Sequence, residues 1–139
     1  MNRIKDKIEE INKFLDEFKG IIPSSLREYE SNIEKKAACE RYFKKILEAV
    51  TDLAFLIIKD KKFEIPNDDS DAFNILIKNS IIENNLAIKL KKAKGMKNII
   101  SHQYGDIDNE IVFKSITKEL EKDIREFIKN VKKKYKILS

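Results

Sequence analysis

The chain has little of what builds loops, sheets or crosslinks. Its 139 residues include three glycines, two prolines and one cysteine. A lone cysteine excludes an internal disulfide, and Cys39, after two alanines in a helical run, reads as a small core residue. So few turn formers and aromatics suit a helical bundle better than a sheet protein. The longest apolar run, Leu53 to Ile58, is far too short to cross a bilayer. The first ten residues are mostly charged, so no signal peptide is expected and the cytoplasm is the expected location. There is one histidine, His102, with no cysteine or carboxylate cluster to join it. That leaves no credible ligand set, so no metal and no cofactor are expected.

What is present is a dense, periodic mix of 42% apolar and 38% charged residues, which argues against disorder. The net charge of +5 is moderate. It permits an anionic partner without demanding one. The length fits a single domain, residues 1–139, around one core.

The apolar spacing predicts an all-α, antiparallel bundle of about five helices. Ile4, Ile8, Ile11, Leu15 and Phe18 make one stripe, ended by Gly20 and Pro23. Ser25 and Glu28 form a capping-box pattern. From there to about Asp60 one long helix is expected, with Phe43, Ile46, Leu47, Val50, Ala54, Ile57 and Ile58 at the centre of the core. Phe63–Asp69 is a break, because Pro66 disfavours helix at Ile65. A short helix over Ser70–Asn79 buries Phe73, Leu76 and Ile77. The next starts near Glu83 and presents Leu86, Leu90, Ala93 and Ile100 inward. Asp108 is the expected N-cap of the last helix. That helix carries Val112, Ile116, Leu120, Ile124, Phe127 and Val131, and its basic end complements the helix dipole.

The fourth long helix runs into "KGMKNIISHQYGDID", Lys94 to Asp108. Asn98 and His102 are four apart and share a face. Lys97 is five residues before His102, and its long side chain can reach the same anion. The lysines before it, Lys89, Lys91, Lys92 and Lys94, suit either RNA backbone or an ordinary solvated helix face.

Gly95, Asn98, His102, Tyr104, Asp106, Ile107 and Asp108 stand in the order and spacing of a known signature. The run from Gly95 to Phe113 resembles the HEPN superfamily in its HepT-like branch. Upstream, Glu40, Arg41, Glu48, Ala49 and Asp52 resemble the family's preceding helix, and "IPNDDSDAFNIL" resembles its proline turn. The likeness covers about residues 1–131. One position departs. The family's arginine is Lys97 here, so the cation is kept while the planar two-pronged geometry is lost.

The resemblance implies a metal-independent endoribonuclease, the toxin of a type VII toxin–antitoxin pair. Attack of a ribose 2′-OH on the adjacent phosphodiester would leave a 2′,3′-cyclic phosphate and a 5′-OH. His102 suits the proton transfers and Lys97 the developing phosphate charge, with Asn98, Asp52 and Arg41 in support. A two-fold homodimer, which the resemblance implies, would pair two copies of His102. It also implies an MntA-like nucleotidyltransferase antitoxin that transfers AMP to Tyr104. A bulky phosphate group there would block RNA. DNA is not an expected substrate and no membrane partner is expected. The alternative is a catalytically weak HEPN module, with Lys97 in place of arginine, that mainly binds a nucleotidyltransferase or a nucleotide.

Overall fold

The computed structural model describes residues 2–102 and 108–136, and these are helical nearly throughout. The helices are α1 (Asn2–Lys19), α2 (Leu26–Ser31), α3 (Ile33–Lys61), α4 (Asp69–Lys78), α5 (Asn84–His102), α6 (Asn109–Lys114) and α7 (Leu120–Tyr135). A π-helical turn, Ser115–Glu119, joins α6 to α7 without a break in the helical backbone. Among the described residues there is no strand. No helix among them is long and apolar enough to cross a membrane.

The long helix begins later than the sequence pattern suggests. Ser25 does act as a cap, accepting from the Glu28 N–H at 3.1 Å. The Glu28 carboxylate, however, turns to Ser24 and Lys35 instead of closing the box. Asn32 then interrupts the helix with an extended backbone. It ends α2, and its Oδ1 starts α3 by accepting from the Lys35 N–H at 3.0 Å. Asparagine competes with helix through such local bonds, which is why it caps where another residue would continue.

α3 is the axis of the bundle. It packs on α1, α2, α4 and α5, and Phe43, Leu47, Val50, Leu53, Ala54 and Ile57 are fully buried along it. Phe73 of α4 meets Phe127 of α7 edge-on at 6.3 Å. Tyr29 of α2 lies against Phe113 of α6 at 5.6 Å. Arg125 ties α7 to α1, donating to Asn12 and Asp16, each at 3.1 Å. Cys39 is buried as expected, and burial pushes its thiol up to about 11. α3 and α7 end alike. Lys62 (φ 58°) and Lys136 (φ 53°) both close their helix in the left-handed region, which costs a residue with a Cβ about 1–2 kcal/mol.

Candidate functional site

His102 is the last residue of α5. The turn before it is anchored by Ile100, which is 7% exposed. Beyond it, Asp108 restarts the helix as expected, its Oδ1 accepting from the N–H groups of Glu110 (3.0 Å) and Ile111 (3.3 Å). Asn109 donates to Glu30 at 3.4 Å and so ties this restart to α2. The motif is therefore held at both ends by packed helix. Tyr104, Asp106 and Ile107 lie outside the described residues.

His102 is exposed, whereas Lys97 and Asn98 are half-buried. At 100° per residue, Lys97 points about 140° away from His102, toward the side of α5 that packs on the core. Asn98 lies between them. Its Oδ1 accepts from Lys97 Nζ at 3.4 Å, a long bond that draws the ammonium back toward the histidine face. A flexible cation and an imidazole thus share one helix end, with an amide between them.

Three of the four lysines before the motif are tied within the chain, while Lys92 is exposed. Lys89 pairs with Asp123 of α7 at 4.0 Å, and Lys94 with Asp69 of α4 at 3.6 Å. Lys91 donates to Asn74 at 2.6 Å. Burial raises the Asp123 carboxyl pKa, and the Lys89 charge partly offsets this. These three lysines fix α5 against its neighbours, so they do not form an open track for an anion.

Arg41, Glu48 and Asp52 lie on one exposed face of α3. Asp52 pairs with Lys7 of α1 at 3.7 Å. It lines a groove of about 780 Å³ between α1 and the end of α3, with Arg3, Phe55 and Phe63 also on its walls. The contact recorded for Asp52 therefore runs to α1.

One feature escaped the sequence reading. The outer face of α5 carries Ile88 (53% exposed), Gly95, Ile99 (46% exposed) and His102, at spacings of seven, four and three. A Cβ added at Gly95 would meet no atom within 4 Å. Glycine inside a helix costs about 1 kcal/mol relative to alanine, and nothing in the chain's own packing requires it there. The signal was available as two isoleucines and a glycine in register with the histidine.

Residues 4–131 match the Ribonuclease HepT-like family. A tRNA nuclease HepT of Aphanizomenon flos-aquae is 31% identical over 114 residues, covering 82% of this chain and 78% of that protein. An mRNA nuclease HepT of Shewanella oneidensis is 34% identical over 85 residues, 61% of this chain and 63% of that one. Among solved structures, a tri-AMPylated Shewanella oneidensis HEPN toxin in complex with MNT antitoxin superposes with a TM-score of 0.86. Its identity is 25%, over 94% of this chain and 96% of that one.

Proposed function

The chain belongs to the HepT-like ribonuclease family, and from that premise we propose that it is the toxin of a toxin–antitoxin pair, cutting RNA without a metal. The observation that carries this reading is the exposed His102 beside the Lys97–Asn98 contact, within a chain whose relatives are named as tRNA and mRNA nucleases. The substrate's 2′-OH attacks the adjacent phosphorus, and the 5′-oxygen leaves. One His102 takes the proton from the 2′-OH. A second supplies a proton to the leaving oxygen. Lys97 offsets charge developing on the phosphate. Asn98 and Arg41 support the site's charge balance. Asp52, about 12 Å along α3 from Asp60 and paired with Lys7, stands toward the opposite end of the bundle and is left out of that role.

Two imidazoles require two copies of the chain. The exposed isoleucines and the open Gly95 on the α5 face beside His102 support a two-fold homodimer there. The two helices would approach most closely at the glycine.

The partner is an MntA-like nucleotidyltransferase, and the chain's single domain works in the cytoplasm with RNA, not DNA, as substrate. Tyr104 takes AMP: its phenol oxygen attacks the α-phosphate of ATP and pyrophosphate leaves. The AMPylated toxin in the related complex supports this assignment. RNA cleavage in a chelator tests the reading. The chain should cut, and His102→Ala should not. Intact mass after co-expression with the transferase should show AMP on Tyr104.

A second reading has its own observation. Lys97 is half-buried and points away from the His102 face, where the family carries an arginine. A weak enzyme that mainly binds the transferase or a nucleotide would follow. Lys97→Arg separates the two. A tenfold or larger gain in cleavage marks a weakened site, and an unchanged rate marks lysine as sufficient.

A further inference from the structure

The last turns of α3 and α7 concentrate positive charge that the site does not use. The Tyr135 hydroxyl donates to Asp60 Oδ2 at 2.7 Å, and Lys61 Nζ lies 4.7 Å from the centre of the Tyr135 ring. These contacts set residues 59–62 beside residues 129–136. Together the two segments hold eight lysines against one acidic residue, Asp60. All but Lys132 are exposed. None of the eight forms an ion pair among the described residues. The chain's net charge is only +5, so the remainder of the molecule is net negative and its excess cation sits at this pole.

Helix dipoles do not account for that excess. Two helix C-termini carry about −0.5 charge each, which offsets only a small part of it. The backbone adds an independent observation. Lys62 and Lys136 occupy left-handed positions where glycine would be unstrained. At both helix ends the chain keeps a charge where the conformation favours glycine.

The pole lies far from His102. Lys89 of α5 pairs with Asp123 of α7. Were the two helices parallel, the six residues between His102 and Asn109 would have to span about 40 Å, and they reach about 24 Å at most. The helices are therefore antiparallel. His102 lies about 20 Å from that pair in one direction and Tyr135 about 18 Å in the other.

We propose that this pole is a second RNA-binding site, which holds backbone phosphates of the substrate about 38 Å from the cleavage position. It rests on the reading of His102 as the cutting residue. The substrate it implies is a folded RNA long enough to span the bundle. A short single-stranded piece would not engage both ends.

The test uses the full chain carrying His102→Ala, so that RNA binds without being cut. Anisotropy is measured with a trinucleotide, which falls well short of the span between the two sites even with its backbone fully extended, and with a folded tRNA. One variant combines Lys132→Gln, Lys133→Gln and Lys134→Gln; another combines Lys62→Gly and Lys136→Gly. The triple variant should bind tRNA about tenfold more weakly, with a log–log salt slope shallower by about two to three, and bind the trinucleotide as before. The glycine pair should also weaken tRNA binding, with a Tm at or above the parent's. That excludes unfolding as the cause. A triple variant that keeps the parent's tRNA affinity and salt slope overturns the pole while leaving the ribonuclease reading intact. A parent that binds neither RNA overturns both.

Discussion

Two groups of lysines in this chain look alike as text and differ as matter. One runs along α5 into the motif. The other closes α3 and α7 at the far end of the bundle. In the first, Lys89, Lys91 and Lys94 reach Asp123, Asn74 and Asp69 on other helices. In the second, the lysines face solvent with no ion pair among the described residues. A basic run close to a catalytic motif invites a substrate-binding reading. Here three of the nearer lysines are held by other helices, and the distant group is left facing solvent. Charge in a sequence becomes a binding surface only after its internal partners are subtracted.

The contrast can be broken at several strengths. The largest expected effect is at the motif. His102→Ala should lower RNA cleavage by about 10²–10⁴-fold while the chain stays helical by circular dichroism, whereas substitution at the pole should spare the chemical step on the short RNA. Cleavage rates with the two RNA lengths measure the difference. Next comes Ile99→Asp, a charge placed on the outer face of α5. It should convert the proposed dimer to monomer in sedimentation and slow cleavage, less completely than His102→Ala. A monomer that still cuts at the parent's rate would sink the shared-histidine mechanism.

Smaller effects separate tied lysines from free ones. Lys94 is 13% exposed, and its partner Asp69 is 50% exposed. After solvent screening, Lys94→Ala should cost about 0.5–1 kcal/mol, read from urea midpoints, without changing the salt slope for RNA. Lys133→Ala should do the reverse, with stability within about 0.5 kcal/mol of the parent.

The smallest effect concerns pH. The Tyr135 hydrogen bond holds the Asp60 carboxyl below its usual range. A depressed carboxylate contributes stability at neutral pH and loses it as pH falls through the folded value, below about pH 4. Tyr135→Phe should therefore flatten the acid limb of the stability curve. An unchanged limb would show that the pair contributes nothing measurable.

Much of this molecule was legible in its residues. The stripe of α1 alternates steps of four and three, so it stays on one face, and every member is buried. The order and spacing of the motif gave the family, which the match over residues 4–131 bears out. The exceptions have physical causes. The Asn32 break depends on a side chain choosing its own backbone over the helix. The α5 lysines look solvated until the positions of Asp69, Asn74 and Asp123 are known, and only the fold supplies those. The site's own assignments go no further than the helix end on which His102, Asn98 and Lys97 stand.

The π turn between α6 and α7 was written in the sequence and passed unnoticed. Val112, Ile116, Leu120 and Ile124 are each four apart. On a regular helix each such step drifts about 40°, so after three the apolar side would have swung about 120°. The wider turn at Ser115–Glu119 takes up that drift. It works as a phase shifter: α6 faces α2 and α7 faces α1 and α5 while the rod runs on. Deleting one residue within it would force a choice. Either Phe113 keeps its place on Tyr29, or the far half keeps its own and the whole near half rotates by one residue. The lysines at the tip would then point a third of a turn away from where they now stand, or the motif's anchor would.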